Sequence, residues 1–177
     1  CRDKGNVVVA SQFIYREKAE INEQGMREYP IDSYLLAYDE LAEGTMHGFT
    51  NVSQDSDGVV RRIKLKENYP GGTKDEIFMF SKVIYDRYVQ ETGSSPNDVK
   101  TDKYGKALIN YSGKPGDYEC LSFVDVLEGR IDPAAFRGSI VLVGAYATGM
   151  QDNFKVPNGG NKQMYGVEIH ANILQSL

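Results

Sequence analysis

Gly138-Ser-Ile-Val-Leu-Val-Gly-Ala145, Asp152-Asn-Phe-Lys-Val-Pro157 and Tyr165-Gly-Val-Glu-Ile-His-Ala-Asn172 lie in that order in the last quarter of the chain. Their succession decides the fold class. The first is an apolar run broken by small residues, which predicts a buried strand and a glycine-edged turn. The second is a loop carrying one acid. The third opens a helix near Tyr165, whose pattern reaches Leu177 without a stop signal. Strand, turn and helix with polar groups at the open end form the kind of unit where α/β proteins hold ligands.

Working outward, residues 6–14 read as a second strand, and the start Val7-Val8-Val9-Ala10 predicts burial on both faces. Residues 16–28 are charged and aperiodic, as in a surface excursion. After Pro30, Asp32 or Ser33 caps an expected helix with an inward stripe of Tyr34, Ala37, Tyr38 and Leu41, closed by Gly44. Residues 47–52 and 59–66 are expected to pair as a hairpin around Asp57-Gly58, a dipeptide suited to tight turns. Gly71-Gly72 predicts a surface loop. Residues 75–93 predict a long helix with Ile77, Phe80, Ser81, Ile84 and Tyr88 inward. Residues 106–112 predict a strand, Ser122 caps a short helix ending at Gly129, and Asp132-Pro133 opens a turn. Alternating helices and strands predict an α/β fold with a mixed, largely parallel central sheet flanked by helices, and one local β-hairpin. A length of 177 residues predicts a single domain over 1–177.

Bulk properties narrow the function classes. A net charge of -5 argues against nucleic acid as a partner, because phosphate contacts need a cationic surface. No apolar run approaches the length that crosses a bilayer. Cys120, among Tyr118, Leu121 and Phe123, reads as a small buried hydrophobe. Cys1 reads as the point where the chain was cut or becomes ordered, and a Cys1–Cys120 disulfide stays open.

Placed on a helical wheel, Val167, Ile169, Ile173, Leu174 and Leu177 form an apolar arc with His170 near its centre. Glu168, Asn172 and Gln175 share the opposite face. His170 therefore points inward, as a core histidine first and a ligand contact second. With His47 as the only other histidine, no metal site is expected. The turn Asp55-Ser-Asp-Gly58 resembles the start of a calcium loop, but its twelfth position is Lys66, so a plain turn is the better reading. One of Arg61 and Arg62 faces inward and needs a carboxylate, from Asp57 or Asp152. Gly144-Ala-Tyr-Ala-Thr-Gly149 permits close backbone approach to a ligand but matches neither a phosphate loop nor a dinucleotide fingerprint. No nucleophile–base pair is identifiable by motif.

The blocks 57–62 (Asp-Gly-Val-Val-Arg-Arg), 108–113 (Leu-Ile-Asn-Tyr-Ser-Gly), 124–129, 140–145, 152–157 and 166–171 occur in an order that resembles the CHASE domain of the second type. The resemblance runs from about Asn6 to the end. It implies an extracytoplasmic sensory domain of a bacterial adenylate or guanylate cyclase, histidine kinase or serine/threonine kinase. Transmembrane helices would follow its last helix, so the pattern running to Leu177 is expected to stop just short of one. The resemblance also implies a strand and helix ahead of Cys1, and a threonine where Val156 precedes Pro157.

On this reading the domain binds a small molecule or an envelope signal and takes no cofactor. Its partners are the membrane helices and output domain of the same chain, with homodimerisation open. Asn110, Tyr111, Gly144, Tyr146, Asp152 and His170 are the expected ligand contacts, and Asp57 and Arg61 are scaffold or rim. The alternatives are a structural or dimerisation module without ligand and a soluble α/β hydrolase.

Overall fold

A computed structural model describes residues 5–21, 25, 27–69 and 76–177. The chain divides into two compact units, residues 1–53 with 62–108 and Leu177, and residues 54–61 with 109–176. Cys1 and Gly71-Gly72 lie outside the described residues.

In the first unit, β1 (Val8–Tyr15) is followed by the short strands β2 (Glu20–Ile21) and β3 (Arg27–Glu28), which pair antiparallel. Then come β4 (Ile31–Leu35), the single turn α1 (Asp39–Ala42) and β5 (Met46–Phe49). β1 is the centre of a mixed three-stranded sheet, antiparallel to β4 and parallel to β5. The strand β6 (Arg62–Lys64) pairs with β9 (Lys106–Leu108), and β7 (Lys66–Asn68) pairs with β8 (Glu76–Phe78). Between them α2 (Phe80–Thr92) packs on β1 and β5. Gly48 makes this possible, since a Cβ there would lie 2.5 Å from Phe80 Cα. Phe13 anchors the sheet, with ring centroids 4.8 Å from Tyr34 and 5.2 Å from Phe49.

The mixed α/β class is the expected one, but several elements differ. The helix expected after Pro30 is the strand β4, because Tyr34 stacks across the ladder on Phe13. The start of the expected long helix is the strand β8, and the helix proper begins at Phe80. β1 buries Ser11 and Phe13 but exposes Ala10 and Gln12, so only one of its faces is dry. Asp57-Gly58 does form a turn, with Asp55 N donating to Val59 O at 2.9 Å. Its flanks do not pair with each other, since β5 joins β1 and β6 joins β9.

The second unit contains α3 (Phe123–Leu127), 3-10 turns at Pro133–Phe136 and Thr148–Met150, β10 (Asn153–Phe154), β11 (Met164–Tyr165) and α4 (Gly166–Ser176). Asp132 opens the first 3-10 turn by accepting from the amide of Ala134. Val60, Met164, Ile169 and Ile173 are fully buried. The strand expected at 138–145 forms no ladder, and Val143 is 72% exposed.

Candidate functional site

β10 and β11 pair antiparallel, Asn153 opposite Tyr165 and Phe154 opposite Met164, and the chain passes from Tyr165 straight into α4. A hairpin is thus fused to the last helix. Its loop makes two successive turns, Gly159 N donating to Val156 O and Lys162 N to Gly159 O. The loop's base is tied by a parallel bridge between Val59 and Lys155, with Val60 N donating to Lys155 O at 2.9 Å.

Two of the three residues on the polar face of α4 are dry, and Gln175 is exposed. Glu168 is 3% exposed and Asn172 is fully buried, although both lie opposite the apolar arc of the helix. The reason is the partner. Glu168 Oε1 accepts from the amide of Gly116 at 2.7 Å, and Oε2 accepts from Tyr165 N at 3.1 Å. Asn172 Oδ1 accepts from Gly113 N at 3.0 Å, and its Nδ2 donates to Glu168 O at 3.0 Å. Ser112 donates to Gln175, and Tyr118 donates to the same amide oxygen at 3.3 Å. The segment 112–118 offers backbone amides to α4, and a polar helix face answers them. Buried amides need acceptors, and side chains four residues apart share one helix face.

Of the expected ligand contacts, His170 lies within α4, Asn110, Gly144, Tyr146 and Asp152 meet α4 or the strand residue before it, and Tyr111 bonds elsewhere. Asn110 N donates to Ser176 Oγ at 2.9 Å. Tyr111 donates its hydroxyl to Val60 O at 3.0 Å, and burial raises its pKa. Gly144 lies so close to α4 that a Cβ would sit 2.7 Å from Val167 Cβ. Tyr146 packs on Tyr165 with centroids 4.4 Å apart and the rings tilted by 41°. Its phenol is pushed up to about 12, first by desolvation and then by its contact with Cys120. Asp152 sits against Gly166, where a Cβ would lie 2.5 Å from its Oδ2, and desolvation raises its pKa. His170 is buried within α4.

Arg61 finds its carboxylate in the turn. Its guanidinium holds Asp57 at 2.8 and 2.9 Å and reaches Asp55 at 3.1 Å, rather than Asp152. These bonds hold the Asp57 carboxyl down at about 2. Cys120 is exposed rather than buried.

Beside the hairpin loop opens a cleft of about 780 Å³. Tyr146 is the one expected contact that lines it. The remaining walls come from residues that the sequence reading did not select. Lys155 and Lys162 flank the loop, Asn161 and Gln163 carry side-chain amides, and Glu168 and Tyr165 connect the cleft to α4. Glu168 and Asn172 carry a legible signal, two hydrogen-bonding side chains at i and i+4 on the face opposite the apolar arc, but neither is among the expected ligand contacts.

A family model described as CHASE2 domain matches residues 3–177. No curated protein and no solved structure matches the chain.

Proposed function

This chain belongs to the CHASE2 family of sensory domains, and from that premise we propose that it is the extracytoplasmic sensor of a bacterial membrane receptor, with α4 carrying its state to a cytoplasmic cyclase or kinase. CHASE2 domains are non-catalytic sensory modules, generally found in receptors with cyclase or kinase outputs and typically extracytoplasmic. Among the described residues no helix is long and apolar enough to cross a membrane.

The observation that carries the reading is the double tie at Glu168. One carboxylate on the first turn of α4 holds amides from two separate segments, Gly116 and Tyr165. Any ligand that rearranges either segment changes what α4 is bonded to, and a ligand signals only by preferring one arrangement over another. The expected contacts Asn110, Tyr111, Gly144, Tyr146, Asp152 and His170 are proposed to sense or brace that rearrangement.

Cys120 supplies a test of location, being a free, exposed thiol. In intact cells expressing the full-length receptor with Cys120 kept as its single cysteine, a membrane-impermeant maleimide is expected to label the protein, and Cys120→Ser is expected to remove that label. Labelling of Cys120 only after lysis would place the domain inside the cell and overturn the proposal.

A further inference from the structure

The cleft beside the β10–β11 loop has a charge unlike that of the whole chain. Overall the chain carries -5, yet the ionised side chains lining the cleft are Lys155, Lys162 and Glu168. Both oxygens of Glu168 are already engaged by amides, and the residue is buried. Among the described residues neither lysine has an ion-pair partner. The local balance is therefore one positive charge in excess, concentrated in a concave site where a field acts on a small ion more strongly than on a flat surface. Asn161 and Gln163 add side-chain amides, each able to donate and accept, the chemistry that reads hydroxyl groups. Tyr146 and Tyr165, packed as a tilted pair with centroids 4.4 Å apart, supply an aromatic wall. A volume of about 780 Å³ lies within the range of small-molecule sites.

We propose that this cleft binds a small polyhydroxylated anion, a sugar acid or a sugar phosphate, with Lys155 and Lys162 on the anionic group, Asn161 and Gln163 on the hydroxyls and the tyrosine pair against the ring face. The proposal rests on the sensory reading for its purpose and names the ligand class for it. Binding here reaches α4 directly, because Tyr165 ends the hairpin and Glu168 lies within the first turn of the helix.

The test uses the 177-residue chain with glucuronate and glucose 6-phosphate as probes, and glucose and glucosamine as neutral and cationic controls. At about tenfold over Kd, at least one anion is expected to raise Tm by roughly 3–5 °C. The controls give no comparable rise, and added salt weakens the anion effect. The double variant Lys155→Gln/Lys162→Gln, altered only at exposed side chains, keeps its unliganded Tm within about 2 °C and loses the anion-dependent rise. No rise with either anion, an equal rise with glucose or glucosamine, or a rise that survives in the double variant overturns the proposal. Anion binding that leaves receptor output unchanged would instead overturn the sensory reading while the site stands. Output that answers a signal without anion binding would do the reverse.

Discussion

Glu168 Oε1 accepts the amide of Gly116 at 2.7 Å, across 52 residues of chain. The same carboxylate accepts Tyr165 N at 3.1 Å, so one side chain joins a loop, a hairpin and a helix. Replacing it by the isosteric amide breaks this symmetry. In Glu168→Gln one donor of the new amide must face a backbone N–H, leaving that group unpaired in a buried site. A loss of about 1–3 kcal/mol is expected in urea denaturation. An unchanged midpoint would show that the two bonds do not form in solution.

Asn172 makes the second tie, with its side chain fully buried between Gly113 N and Glu168 O. Asn172→Leu keeps the branched outline of the side chain but adds bulk and strands the Gly113 amide, and a cost of at least about 1–3 kcal/mol follows. Amide exchange should accelerate at Gly113 while α2, in the other unit, keeps its protection. Uniform acceleration would point to global destabilisation instead.

The helix-forming end of the chain was legible because its apolar period is unambiguous, and α4 begins within a residue of where the pattern places it. What the pattern did not reveal was the partner of the polar face. A wheel separates polar from apolar positions but cannot tell water from a backbone loop, so it sets Glu168 and Asn172 opposite the apolar arc without showing that a loop covers them. Ile140-Val-Leu-Val143 differs from its pattern outright. Its apolarity predicts a buried strand, yet Ile140, Val141 and Val143 stay exposed without a ladder. Tyr34 failed for a third reason: four residues at helical spacing fit a short window, while the deciding contact was the cross-strand ring of Phe13.

Gly144 is expected to tolerate no side chain. A Cβ would meet Val167 Cβ at 2.7 Å, and Gly144→Ala should cost about 1–3 kcal/mol through overpacking. Val167→Ala in the same chain removes the Cγ atoms of the clash and should recover part of the loss, giving a non-additive double-mutant cycle. Strict additivity would mean that the two residues are not in contact.

Two aspartates give opposite pH responses. Desolvation raises the Asp152 pKa above its ordinary 3.8, so the folded state holds that proton more tightly than the unfolded state. Its contribution is fully present below 3.8 and is lost as pH rises through the raised value. Asp152→Asn should therefore gain in Tm relative to the parent chain as pH climbs above about 4. Asp57, held down at about 2 by Arg61, contributes above 3.8 and loses that contribution as pH falls towards 2. The Tm deficit of Asp57→Asn should shrink over that lower window. Parallel Tm–pH curves for variant and parent would refute either assignment.

The most direct measurement is the basal cyclase or kinase output of the full-length receptor carrying Glu168→Gln, at equal amounts in the membrane. The comparison is a Phe13→Leu receptor, altered in the aromatic cluster of the first unit and matched for loss of stability. If the two ties at Glu168 set the state of α4, the Glu168→Gln receptor shifts its basal output several-fold and the Phe13→Leu receptor does not. Equal outputs from the two would contradict a signal carried through α4.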